Sequence, residues 1–83
     1  MTSLVMHGAY CAGGRRRIVY RVIDDGRQLG TAVCWTAAST LYPWGLTIPS
    51  AGIINYGFEC RAEMMRAIEG FISTGRIGGL RHG

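Results

Sequence analysis

The chain has 83 residues, a net charge of +4 and nine basic residues, all of them arginine. That length allows one domain, residues 1–75 with a glycine-rich tail at 76–83, and a modest core that buries about 60–65% of the unfolded surface, so homodimerisation to share core is one expectation. Three widely spaced cysteines, Cys11, Cys34 and Cys60, argue against a disulfide framework or structural zinc and for free thiols in a reducing cytoplasm.

Ser3 to Tyr10 is apolar enough for a first strand, weakened by Gly8, and Cys11 to Gly14 reads as a flexible link. Arg15, Arg16 and Arg17 then lead into the best-defined segment, Ile18 to Trp35, in which two β-rich runs flank Asp25-Gly26. Asp-Gly between β-rich runs is the strongest short-range hairpin signal. A two-residue loop pairs Asp24 with Arg27, Val22 with Leu29, Tyr20 with Thr31, Ile18 with Val33 and Arg16 with Trp35. These pairs share one face, because strand side chains alternate with period two. Arg17, Val19, Arg21 and Ile23 then occupy the other face, against Gln28, Gly30, Ala32 and Cys34. A bulge near Gly30 would shift part of this register.

Tyr42-Pro43 breaks the connection that follows. Trp44 to Ile48 reads as a third or fourth strand closed by Pro49-Ser-Ala-Gly52, and Ile53 to Phe58 as a short edge strand. A helix is predicted from about Arg61 to Thr74. Met64, Met65, Ile68, Phe71 and Ile72 form its apolar stripe, Glu63, Arg66 and Glu69 its polar side, Cys60 its N-cap and Gly75 its C′ residue. The predicted fold is therefore α+β, an antiparallel sheet of three to four strands with one C-terminal amphipathic helix packed on one face. Its expected core sets Ile18, Tyr20, Val22, Leu29 and Val33 against Met65, Ile68, Phe71 and Ile72.

Catalysis finds no support in the residue pattern. His7 and His82 sit at opposite ends, and a His7–Cys11 couple on a mobile link lacks an orienting acid. Asp24-Asp25 is explained by turn geometry, and Glu59 and Glu63 by the helix N-terminus. Gly13-Gly14-Arg15-Arg16 lacks the Gly-Lys-Ser/Thr that completes a phosphate loop. The expectation is a protein that is not an enzyme and has no cofactor and no metal. No apolar run reaches the roughly 20 residues that span a bilayer, and no signal peptide is visible, so no membrane partner is expected.

The arginines carry the functional content. Arg15, Arg17 and Arg21 alternate along one strand, and each two-residue step of about 6.6–7 Å is close to the spacing of successive phosphates on a nucleic-acid strand. The planar guanidinium fork pairs with phosphate or carboxylate and stacks on flat faces. Candidate binding residues are Arg15, Arg16, Arg17, Arg21 and Trp35; Trp35, at the open end of the hairpin, either caps the core or anchors an interface. Tyr42, Trp44 and Tyr56 add aromatic area, with Trp44 and Tyr56 read mainly as core. The partners that fit are an acidic protein surface, a nucleoprotein complex or nucleic acid directly. The plain alternative is a solvated sheet face whose charge prevents aggregation.

The tyrosine-bearing strand, Asp-Gly turn, Leu29-Gly-Thr-Ala32 strand and Phe58-Glu-Cys-Arg-Ala-Glu-Met-Met-Arg-Ala-Ile68 segment resemble small phage and mobile-element proteins built from a sheet and one helix. Among these are DNA-binding arms of phage integrases and several anti-CRISPR proteins. The resemblance spans Ile18 to Ile72, is architectural and transfers no residue role. Integrase arms are usually fused to a longer enzyme, so the resemblance implies instead a free-standing inhibitor or accessory protein docking on a nucleoprotein complex, with direct DNA or RNA binding as the alternative.

Overall fold

The computed structural model describes residues 2–12, 15–36 and 41–74. The chain runs β1 (Thr2–Ala12), β2 (Arg15–Asp24), β3 (Arg27–Trp35), β4 (Trp44–Ile48), a 3₁₀ turn (Pro49–Ala51), β5 (Ile53–Phe58) and α1 (Arg61–Thr74). The strands form one antiparallel sheet in the order β1-β2-β3-β4-β5. The fold is α+β as expected, with five strands rather than three to four. The Ser3–Tyr10 strand extends at both ends, so Cys11 and Ala12 belong to β1 and not to a link. Gly13, Gly14, the proposed Gly75 cap and the 76–83 tail lie outside the described residues.

Turn chemistry sets the β2–β3 hairpin. Asp25 and Gly26 both have positive φ, 49° and 80°, the combination a type I′ turn requires. Asp24 pairs with Arg27 and Ile23 with Gln28, but Val22 then pairs with Gly30. Leu29 is the extra residue of a bulge, and every β3 partner beyond it is displaced by one. Tyr20 therefore faces Ala32, Ile18 faces Cys34 and Arg17 faces Trp35. This corrects the simple two-residue register: Thr31 and Val33 leave the helix-side face, and Gly30, Ala32 and Cys34 enter it. Leu29 keeps its predicted side and packs on the core, because the two bulge residues lie on the same side of the strand.

Two further bulges bend the sheet. On β1, His7 intrudes between the Met6–Tyr20 and Gly8–Val19 pairs, which kinks an eleven-residue edge strand that bears no acidic or basic side chain other than His7 and so blunts it against further pairing. On β5, Ile54 and Asn55 lie between the pairs Leu46–Tyr56 and Ile48–Ile53. Asn55 takes φ 48° there, a left-handed conformation that asparagine tolerates, and its backbone N–H donates to Thr47 Oγ1 at 3.1 Å.

The helix covers β4 and β5 more than the hairpin. Its apolar stripe meets Leu46, Ile48, Ile53 and Phe58, and its own Met64 and Ile68 are fully buried against them. Val22 and Ala32 complete the buried core from the hairpin, with Leu4, Tyr20, Trp44, Tyr56, Met65 and Phe71 half-buried around it. Trp44 stacks on Tyr20 with ring centroids 5.6 Å apart, consistent with the core reading of Trp44 and Tyr56. Ile18 and Val33 are not part of this core, and Ile72 is 37% exposed. The reason is connectivity: only Glu59 and Cys60 separate β5 from α1, so the helix folds back over its own neighbouring strands. A cleft of about 560 Å³ between Thr2 and Asp24 on the sheet and Met65, Glu69 and Ile72 on the helix marks where α1 stands away from the hairpin. Ile72→Ala is accordingly expected to lower stability by less than about 1 kcal/mol in a urea titration, well short of a buried-core truncation.

Candidate functional site

Strand alternation and the observed register decide which side chains share the face opposite α1. Three rows of neighbours cross the sheet there. The first is Tyr10–Arg17–Trp35. The second is Gly8–Val19–Val33–Gly45–Gly57. The third is Val5–Arg21–Thr31–Thr47. Arg15 extends the first side along β2, opposite Ala12.

In the first row the Arg17 guanidinium carbon stands 5.7 Å from the Tyr10 ring centroid and 5.7 Å from the Trp35 ring centroid. Both distances are within cation–π range. The guanidinium is held between two aromatic side chains while remaining exposed, which lowers the entropy lost when it pairs with an anion. The end of β3 is pinned so that Trp35 stays in place: its backbone N–H donates to the Pro43 carbonyl at 2.8 Å, and Thr36 donates through both N–H and hydroxyl to the Arg16 carbonyl at 3.0 Å. Tyr42 leans over β5 from the same side. A Cβ added to Gly57 would lie 2.8 Å from the Tyr42 Cβ, so the ring can take this position only because Gly57 has no side chain. A groove of about 470 Å³ lies between Arg17, Trp35, Tyr42, Gly45 and Gly57. A second depression of about 320 Å³ adjoins Arg21, His7, Gln28 and Thr31.

The charges are segregated. The five acidic residues are Asp24, Asp25, Glu59, Glu63 and Glu69, which fall at the β2–β3 turn, the β5–α1 junction and the helix. The three rows contain no carboxylate, and Arg15, Arg17 and Arg21 are all exposed. The open face is therefore a cationic surface with aromatic groups and a small-residue centre.

Of the sequence-predicted site residues, the structure brings together Arg15, Arg17, Arg21 and Trp35. It separates Arg16, which alternates onto the helix-side face opposite Cys11. Trp35 joins Arg17 rather than Arg16 because of the Leu29 bulge, and it caps no core. Sequence reasoning missed Tyr10, Gly45 and Gly57. The available signal was glycine inside strands, which often marks a place where a ligand or another group approaches the backbone closely.

The thiols do not build a reactive centre. Cys11, Cys34 and Cys60 are free, and burial pushes the Cys34 thiol above its ordinary range, which favours the protonated, less nucleophilic form. Among the described residues, no three of His, Cys, Asp and Glu gather where they could hold a metal ion, and no helix is long and apolar enough to cross a membrane. No protein-family model matches the chain, and no curated protein or solved structure matches it either.

Proposed function

We propose that this chain is a non-enzymatic binding protein whose open sheet face engages nucleic acid. The observation that carries the reading is the Arg17 guanidinium held between Tyr10 and Trp35, in line along β2 with Arg15 and Arg21 on a face without carboxylates. Phosphates pair with the guanidinium forks, and the aromatic edges offer stacking area. The test is a fluorescence-anisotropy titration of duplex and single-stranded oligonucleotides across salt concentrations. Neutralising three phosphates should give a log–log slope of affinity against salt of about −2 to −3. Absence of binding to either form at low salt would overturn the reading.

A second reading has its own support. Val5, 46% exposed, and Val19, Ile23 and Val33 intersperse the cations with apolar surface, which suits a protein partner with an acidic rim. On this reading the chain is a small inhibitor or accessory protein that docks on a nucleoprotein complex, as anti-CRISPR proteins do. Capture of a defined complex that survives nuclease treatment, and that is lost on charge reversal of Arg17 and Arg21, would favour it over direct binding.

A further inference from the structure

The row Gly8–Val19–Val33–Gly45–Gly57 lies between the Arg17 and Arg21 rows; its valines are shorter than Arg17, Trp35 and Arg21 and level with Thr31, and its glycines carry no side chain. Its middle members, Val19, Val33 and Gly45, form a shallow trough running at right angles to the strands, closed at its ends by Tyr10 and Tyr42. The two inter-strand spacings from Val19 to Gly45 give an open length of about 10 Å. Its walls are Tyr10, Arg17 and Trp35 on one side and Arg21 and Thr31 on the other. Arg17 and Arg21, four residues apart on one strand, stand about 13–14 Å apart across it. The ends are occupied differently from the middle. Tyr10 lies over Gly8, where an added Cβ would stand 3.1 Å from the tyrosine oxygen, and Tyr42 lies over Gly57. Gly45, next to the Tyr42 end, has nothing within 4 Å of the place a Cβ would take.

Resting on the nucleic-acid reading of this face, we infer that the trough is the seat of a single strand and not of a duplex. The duplex keeps its base faces stacked inside and offers this face phosphates, sugars and groove edges but no ring to stack on. An unpaired strand can lay bases onto the apolar floor and against Trp35 and Tyr42 while its phosphates over β2 meet Arg17 on one wall or Arg21 on the other, the combination of cationic walls and aromatic platforms that sequence-tolerant single-strand sites use. The open length accommodates about two to three nucleotides, between extended and stacked spacing. The absence of carboxylates from the three rows of this face supplies the charge complementarity.

Gly45→Val provides a direct test, because the position is open and β-branched residues suit strands. The valine fills the floor of the trough and leaves all the arginines in place. Labelled oligo(dT) of about 12 nucleotides and a duplex of similar length serve as probes, with circular dichroism to monitor folding. The native chain should bind the oligo(dT) about tenfold or more tighter than the duplex. Gly45→Val should retain its melting temperature, lose about tenfold or more in oligo(dT) affinity and keep its duplex affinity within about twofold. Tyr42→Ala, at an exposed side chain, should lose about fivefold or more for oligo(dT), and it decides the matter alone if the valine variant does not fold. Duplex binding as tight as single-strand binding, or oligo(dT) affinity unmoved by both variants, would overturn the trough while leaving the nucleic-acid reading intact. Failure of both probes to bind would overturn that reading itself.

Discussion

Gly30→Ala is expected to remove a large part of the stability of the domain, although it adds a single methyl group. Gly30 is buried beside the Leu29 bulge, where β4 crosses against β3. An added Cβ would overlap the Thr47 carbonyl oxygen and lie 3.0 Å from the Thr47 carbonyl carbon and 3.1 Å from the Ile48 Cα. All three atoms are backbone, so no side chain can turn aside. Relief requires β4 to move off β3, which breaks the Thr31–Thr47 and Ala32–Leu46 pairing and withdraws Leu46 and Ile48 from beneath the helix. A domain of this size has about 4–12 kcal/mol of stability in total. Loss of about 4 kcal/mol or more is expected, at the exceptional end for point substitutions and comparable to truncating the fully buried Ile68 to alanine, which should cost about 2–5 kcal/mol. Urea titrations of both variants, followed by circular dichroism, measure this. A loss under about 1 kcal/mol for Gly30→Ala would show that the two strands do not approach as described.

Charge reversal of Arg17 and Arg21 together is expected to abolish nucleic-acid binding while the fold survives. Both side chains are exposed, so neither substitution buries a charge. Arg17→Glu gives up its contacts with Tyr10 and Trp35, each worth about 0.5–1 kcal/mol at an exposed site. The melting temperature should therefore fall by no more than roughly 8–16 °C, and unfolding should stay cooperative. Replacing two phosphate partners by two carboxylates changes attraction to repulsion, so affinity should drop by about a hundredfold or more at low salt. Arg16→Glu is the matched control. It changes net charge by the same amount per site but lies on the helix-side face, and it should alter affinity by only a few-fold. If Arg16→Glu weakens binding as much as Arg17→Glu does alone, the interaction reads total charge and not this face. If the double variant binds normally, the interface lies elsewhere, and the polar helix side at Glu63, Arg66 and Glu69 becomes the next surface to reverse.

Local chemistry in the sequence was enough to determine much of this protein. Asp25-Gly26 specified a type I′ hairpin because few dipeptides accept two successive positive φ values. The spacing of Met64, Ile68 and Phe71 specified a helix with one apolar side, and alternation along β2 placed Arg15, Arg17 and Arg21 together on one face and Arg16 on the other. These properties depend on residues within a turn or two of one another. The tertiary structure decided what depends on distant partners. Leu29 became the bulge residue because β4 must pass against the bare backbone of Gly30, and that one-residue displacement carried Val33 and Trp35 onto the open face and Ala32 and Cys34 onto the covered one. The short β5–α1 connection placed the helix over Leu46, Ile48 and Ile53, which left Ile18 and Ile72 outside the core. The trough needed Gly8, Val19, Val33, Gly45 and Gly57 from five different strands to fall in one row. Nothing in any single strand signals that alignment, because cross-strand register is fixed by bulges and close backbone contacts that exist only once the sheet is assembled.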